Sequence, residues 1–410
     1  MNRAPDKKIE LPPQLNLVVK RRPQLRLILI GVIILYVVFY IQWIAGTEHH
    51  SPFKDFVAFY AAAEMVQQGR AEMAYDRPAI HEAEKRLAGF DCGIFPWYYP
   101  PTTLLLIAPL AWLPPLLAFA IWLLLPLSCL IIIIRRILPD SLTVLLVLAT
   151  PVVFTNFVYG QNGYLSAALF AGGLLMLPRN SAIAGLLLVT LAYKPQLAFL
   201  VPLALLAGQN FKALAWWLAG LAGWILLSLM ILGWASWQGF FEGIYYATNA
   251  IEAGAAKLPQ MSTVSSAVLL AGGEPWLARV AQSVMMLLGA AVVVGVWRRR
   301  EIPDDLKNAV LMVASILIAP HAFRYDLVLL IPALAWLCLA GLHTGWLPGE
   351  KIIYLIAISL SFFTTAVNEL IHFTLDPIVI AIVLGYALYR CRLWAGGQEA
   401  QYSSARNIVR

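Results

Sequence analysis

The chain has 410 residues, 61% hydrophobic and 12% charged, with 29 Lys and Arg against 22 Asp and Glu, for a formal charge of +7. A soluble domain carries about a quarter charged residues, so this composition excludes an ordinary soluble protein, and long runs of Leu, Ile, Ala and Val in place of short alternating segments exclude a β-barrel. The basic residues abut apolar runs (Lys20 to Arg22 with Arg26, Arg135 with Arg136, Arg179, Lys212, Arg298 to Arg300, Arg390 with Arg392), which is the pattern of cytoplasmic flanks and needs no nucleic-acid partner.

The expected fold is an all-α polytopic membrane protein. In chain order, residues 1–26 form a cytoplasmic tail. A first helix at about 27–46 is too long for a signal-peptide core and lacks a small-residue cleavage site, so it is read as retained. It delivers residues 47–100 to the outside as a polar loop. Within that loop Phe56, Phe59, Tyr60 and Ala63 recur at helical spacing, which predicts an amphipathic helix on the membrane surface ended by Gly69. A second polar helix covers 78–88.

The apolar stretch 102–134 is longer than one crossing of about 20 residues needs and is interrupted by Pro114 and Pro115. It reads either as a hairpin or as a short membrane-dipping helix followed by one crossing; the second is preferred because it leaves Arg135 and Arg136 inside. Further spans follow at 141–158, 163–178, 182–194, 195–211, 214–234, 276–297, 306–319, 327–343, 350–367 and 374–390, for about twelve crossings in all. The single transmembrane domain is thus 27–390, with a second external loop at 235–265 and a cytoplasmic tail at 391–410. The cysteines Cys92, Cys129, Cys338 and Cys391 show no paired spacing, so neither a disulfide framework nor a metal knuckle is expected.

This topology gathers polar residues on the external face. Asp55, just past the first helix, reads equally as an N-cap or as a general base. Lys194, in LAYKPQLAF, is costly so far into an apolar run unless it is paired or lines a polar cavity; a phosphate is one partner that would suit it. In APHAFRYD, His321, Arg324, Tyr325 and Asp326 crowd one helix junction, as a binding site or as an interfacial ion pair. Gln161 and Asn162 lie in YGQNGY, first of all a turn. Tyr98 and Tyr99, in WYYPP, are interfacial aromatics or a pocket wall. There is no Walker A loop, no Rossmann glycine fingerprint, no HEXXH and no G-x-S-x-G elbow.

Taken in order, the acid after the first helix, YYPP, GQN, the lysine of YKPQ and PHAFRYD resemble glycosyltransferase family 87, over roughly residues 27–390. The resemblance implies a GT-C fold whose external first loop carries juxtamembrane helices, in a multi-pass protein of a bacterial inner membrane with both termini cytoplasmic and an external active site. It implies transfer of a sugar, mannose being the expected one, from a polyprenyl-phosphate donor to a hydroxyl of a lipid or glycan acceptor, with inversion. Asp55 matches the catalytic acid of the first loop, and His321 the histidine near the lipid phosphate. Lys194 and Arg324 would join it at the phosphate, and Tyr98, Tyr99, Gln161, Asn162, Tyr325 and Asp326 would shape the sugar or acceptor pocket. Many GT-C relatives carry a second acid where this chain has Gln161 and Asn162, so no metal and no other cofactor is expected. The competing reading is a transporter or flippase using the same polar residues, though no inverted repeat is evident.

Overall fold

A computed structural model describes residues 22–45, 53–252 and 258–396; the remaining parts of both tails and of the two expected external loops, 46–52 and 253–257, lie outside the described residues. Every element there is helical, and the sole β pairing among them is an isolated bridge between Met261 and Phe323. Proline opens many of the helices, as at Pro101, Pro115, Pro151, Pro195 and Pro275. Its fixed φ suits the first turn, where a missing N–H costs nothing.

Among the described residues six helices are long and apolar enough to cross a membrane: Pro23–Ala45, Pro115–Ile137, Phe211–Ala247, Pro275–Trp297, Arg324–Thr344 and Asp376–Ala395. Large apolar side chains on their outer faces, among them Leu27, Leu35, Met230 and Leu287, are exposed, the surface that lipid covers. Several expected crossings are shorter helices: Gly163–Met176, Ser181–Tyr193 and Pro195–Ala207. At 1.5 Å per residue the last two are each about 20 Å long, short of a core of about 30 Å. The sequence alone does not separate them from full spans, because a helix surrounded by protein is as apolar as one surrounded by lipid. The helix Asp304–Ile318 shows this directly, since it is buried continuously from Asn308 to Ile318.

Two further differences, and between them one expected element pattern that the structure matches, bear on the site. The helix Phe56–Gln67 does not lie on a surface: Phe56 to Ala63 and Met65 are all buried. Its alanines permit close approach, and Phe56 and Phe59 pack against Phe119, Trp122 and Trp97. The stretch 102–134 resolves into the short helix Pro101–Ile107, a 3₁₀ turn Ala108–Trp112 and one long helix from Pro115. The second external loop is mostly helix, since Phe211–Glu252 continues past a break at Gly233 (φ 75°, ψ 170°). Its Tyr245 and Tyr246 are exposed.

Helices that begin near the GQNG loop or the PHAFRYD segment end among basic residues: Pro115–Ile137 at Arg135 and Arg136, Gly163–Met176 just before Arg179, and Asp376–Ala395 at Arg392. Arg390, expected as a flank, is instead buried in a bidentate pair with Glu350, both bonds 2.6 Å, and also donates to Thr344 Oγ1 and to the Gly345 carbonyl. Tyr354 and the Leu347 N–H donate to the same carboxylate. The charge is fully hydrogen-bonded, which is what permits it to be buried.

Candidate active site

Four chain segments meet at the other end of the bundle. The first is the turn Phe53 to Asp55. Asp55 stands at the head of the helix Phe56–Gln67 but its side chain makes no capping bond. Its carboxylate accepts from Gln161 Nε2 at 2.9 Å, and its backbone N–H donates to the Tyr159 carbonyl at 3.2 Å. A carboxylate that only capped its own helix would turn to the first-turn N–H groups; this one faces the second segment.

That second segment, Tyr159 to Gly163, is a turn between two helices, held by side chains from both sides. Asn156 donates to the Gln161 carbonyl at 3.0 Å and accepts from the Gly163 N–H at 2.8 Å, and Trp122 donates to the Gly160 carbonyl at 3.1 Å. Gly160 adopts φ 65°, and a Cβ there would stand 2.8 Å from the Phe53 carbonyl. A Cβ at Gly163 would come within 2.5 Å of the Tyr325 carbonyl. Glycine at both positions is what lets this turn touch the first and fourth segments at once. Asn162 donates to the Tyr99 hydroxyl at 2.9 Å, and Tyr193 donates to the Asn162 carbonyl at 3.1 Å.

The third and fourth segments are tied together by charge. Lys194, at the break between two short helices, is buried and meets Asp326 Oδ1 at 2.5 Å. The other oxygen of Asp326 accepts from the Phe323 N–H at 3.1 Å, and Gln196 donates to the His321 carbonyl at 3.2 Å. Lys194, expected at a phosphate, is thus already matched by Asp326, itself expected in the sugar pocket. The pair pins the segment His321 to Asp326 over an otherwise apolar helix break.

Two cations share one ring. Lys54 Nζ lies 3.8 Å from the centre of the Tyr159 ring and Arg324 Cζ lies 4.7 Å from it. Lys54, at φ 40°, also lies 4.7 Å from the Trp43 ring. The negative charges of Asp55, Asp376 and Glu369 act on Arg324. Aromatic faces stabilise cations, and this corner holds two of them beside the Asp55 carboxylate. His321 is half-buried, and burial lowers its pKa, so at neutral pH it offers an uncharged imidazole.

Of the expected site residues, the structure brings together Asp55, Gln161, Asn162, Tyr99, Lys194, Arg324, Tyr325, Asp326 and the His321 backbone. Tyr98 stands apart, beside Gly243 and within the field of Arg77. Residues that the sequence reading passed over are Lys54, Tyr159 and Asp376. Asp376 is fully buried and accepts from Ser262 Oγ at 2.5 Å, while the Ser262 N–H donates to the Ala322 carbonyl at 2.8 Å. Lys54 had one available signal, its place next to Asp55; Asp376 had none, since Asp-Pro at a helix start reads as an ordinary cap. Among the described residues no group of three or more His, Cys, Asp or Glu is placed to hold a metal ion.

A profile of glycosyltransferase family 87 matches residues 97–320, more than half of the chain. The chain belongs to glycosyltransferase family 87. The matched segment holds Tyr99, Gln161, Asn162 and Lys194; it begins after Asp55 and ends just before His321. No curated protein and no solved structure matches the chain. Family membership makes this protein a membrane glycosyltransferase, and the geometry above is the basis for assigning roles within it.

Proposed function

We propose that the protein transfers a sugar from a polyprenyl-phosphate donor to an acceptor hydroxyl, with inversion at the anomeric carbon. The observation that carries this is the position of Asp55: its carboxylate is aimed by Gln161, away from its own helix, beside a corner where Lys54 and Arg324 flank Tyr159. A base next to a pair of cations is the arrangement such a transfer needs.

In this mechanism the acceptor O–H proton passes to Asp55 as the acceptor oxygen bonds to the anomeric carbon. The bond from that carbon to the phosphate oxygen breaks, and its electron pair leaves with the polyprenyl phosphate. Arg324 and Lys54 stabilise the departing charge, and neutral His321 hydrogen-bonds a phosphate oxygen. Lys194 and Asp326 act as a positioning pair that holds the His321 to Asp326 segment. Tyr99 and Asn162 border the sugar. No metal enters this scheme, because Gln161 and Asn162 stand where GT-C relatives carry a second acid.

Mannose and an inner-membrane setting rest on the family resemblance. The external placement rests on charge: the site lies at the opposite helix ends from Arg135, Arg136, Arg179 and Arg392, and basic ends stay cytoplasmic. The test is incubation of the purified protein in nanodiscs with radiolabelled polyprenyl-phosphate mannose and envelope lipids. Label is expected to move into a new product; donor that neither binds nor reacts contradicts the donor class.

A further inference from the structure

Between the helix Asp304–Ile318 and the 3₁₀ turn Arg324–Leu329 the chain leaves helix altogether. Ala319, which precedes Pro320, is extended (φ −64°, ψ 122°), and so is Phe323 (φ −110°, ψ 162°). Ala319 and Ala322 are completely buried, so the peptide groups of this stretch must find partners outside a helix. Gln196 supplies one, at the His321 carbonyl. Three others come from the end of the second external loop and a helix that follows it. The Ser262 N–H donates to the Ala322 carbonyl at 2.8 Å, Met261 pairs with Phe323 in the isolated bridge, and Gln282 Nε2 donates to the Ile318 carbonyl at 2.8 Å.

The loop end that supplies these bonds is itself held by the last two helices. Asp376, completely buried at the start of the helix Asp376–Ala395, accepts from Ser262 Oγ, and Asn368 donates to the Pro259 carbonyl at 3.0 Å. Gln282, with the same amide that holds Ile318, accepts from the Ser265 N–H at 3.1 Å. Ser262 is the shared point, its backbone on the His321 segment and its side chain on Asp376. The path is bonded throughout: Asp376 carboxylate to Ser262 hydroxyl, Ser262 N–H to the carbonyl of the residue after His321.

We infer that Ser262 and Asp376 are positioning residues for His321, so that the end of the second external loop forms part of the donor-phosphate site. The inference rests on the reading of His321 as a phosphate contact. Gln196 holds the peptide plane between His321 and Ala322, and Ser262 holds the next one. With two successive planes fixed from separate parts of the chain, the backbone that carries the imidazole keeps one direction. A hydrogen bond sets angle as well as distance, which apolar packing of the loop would not do. Asp376 in turn fixes Ser262, and neither residue has to touch the donor. The requirement is strict, because a misplacement of about 1 Å costs up to about a hundredfold in rate.

Two measurements on the full-length protein in nanodiscs test this. The first needs no substrate. The chain has 6 histidines, and with histidine-selective carbon-13 labelling the His321 imidazole is the NMR signal lost in His321→Ala. Ser262→Ala, which removes only the hydroxyl, is expected to shift that signal while leaving His343, at the far end of the helix Leu330–Thr344, in place; Ser262→Thr should restore it. A His321 signal unmoved by Ser262→Ala overturns the inference. The second is donor titration with radiolabelled polyprenyl-phosphate mannose and envelope lipids. Ser262→Ala is expected to raise the donor KM about tenfold with the acceptor KM unchanged, and to add nothing further in a His321→Ala background. Losses that simply add in the double variant mean that Ser262 acts elsewhere than through His321, and overturn it too. Asp376→Asn, still able to accept the Ser262 hydroxyl, should stay near wild type, whereas Asp376→Leu should match Ser262→Ala; an Asp376→Leu loss that adds to that of Ser262→Ala breaks the path. An unchanged donor KM in His321→Ala itself would remove His321 from the phosphate, an outcome on which the imidazole signal does not depend.

Discussion

Gln161 and Asp55, 106 residues apart, are joined by a 2.9 Å hydrogen bond from side-chain amide to carboxylate. The bond fixes where the proposed base points, so its removal should affect rate more than donor affinity. Gln161→Ala is expected to lower turnover about ten- to a hundred-fold, the worth of one hydrogen bond to a charged group, with the donor KM little changed. Gln161→Glu places a like charge against Asp55, which raises the Asp55 pKa. The acid limb of the pH–rate profile should therefore move to higher pH, and a profile identical to wild type would separate Gln161 from the base.

The ion pair of Lys194 and Asp326 predicts a stability phenotype. Both side chains are at most 3% exposed, and removing one partner of such a pair costs about 3–5 kcal/mol because the other charge stays buried. Lys194→Ala should lower the midpoint of thermal unfolding markedly, and adding Asp326→Asn should recover part of the loss. A Lys194→Ala protein that unfolds normally but has lost donor binding would return the lysine to the phosphate.

Lys54 and Arg324 should behave as donor-binding residues. Removing either cation takes away a charged contact worth about 1.5–3 kcal/mol. Lys54→Ala and Arg324→Gln are expected to raise the donor KM at least about tenfold, with the effect shrinking at high salt for the more exposed Lys54. Donor titrations matching wild type for both would place the phosphate elsewhere.

Gly163→Ala probes the closure of the site. The added methyl would stand 2.5 Å from both Asn156 Oδ1 and the Tyr325 carbonyl, and a backbone carbonyl can yield only by moving its segment. Overpacking of this kind costs about 1–3 kcal/mol. Activity and unfolding midpoint should fall together.

Glu84 carries a pH signature in stability. Its folded pKa, about 8, lies above its ordinary value of 4.5. Between those two values the folded chain holds a proton that the unfolded chain has released, so stability is fully present below about 4.5 and is lost as pH rises to about 8. Unfolding midpoints of wild type should therefore decline across this window relative to those of Glu84→Gln; parallel curves would show that Glu84 is not held protonated.

Much of this site could be read from the sequence because polar residues in apolar surroundings stand out. Asp55, YGQNGY, Lys194 and PHAFRYD were all visible for that reason, and so was the all-α membrane fold. Partnership was not visible. Lys194 signalled that it needed an anion, but Asp326, 132 residues away, competes with any phosphate for that role, and spacing along the chain does not choose between them. Lys54 was hidden as one polar position of a surface helix, and becomes notable only when Tyr159 and Arg324 arrive beside it. Helix length failed where apolar composition reports burial without reporting by what, as at Asp304–Ile318.

The most direct test of the central claim is sugar transfer by Asp55→Asn beside wild type, in nanodiscs, with equal folding shown by matched unfolding midpoints and matched donor binding. The account predicts a rate lower by about two to four orders of magnitude with donor still bound, the usual worth of a general base. Transfer at the wild-type rate by a folded Asp55→Asn protein would contradict it.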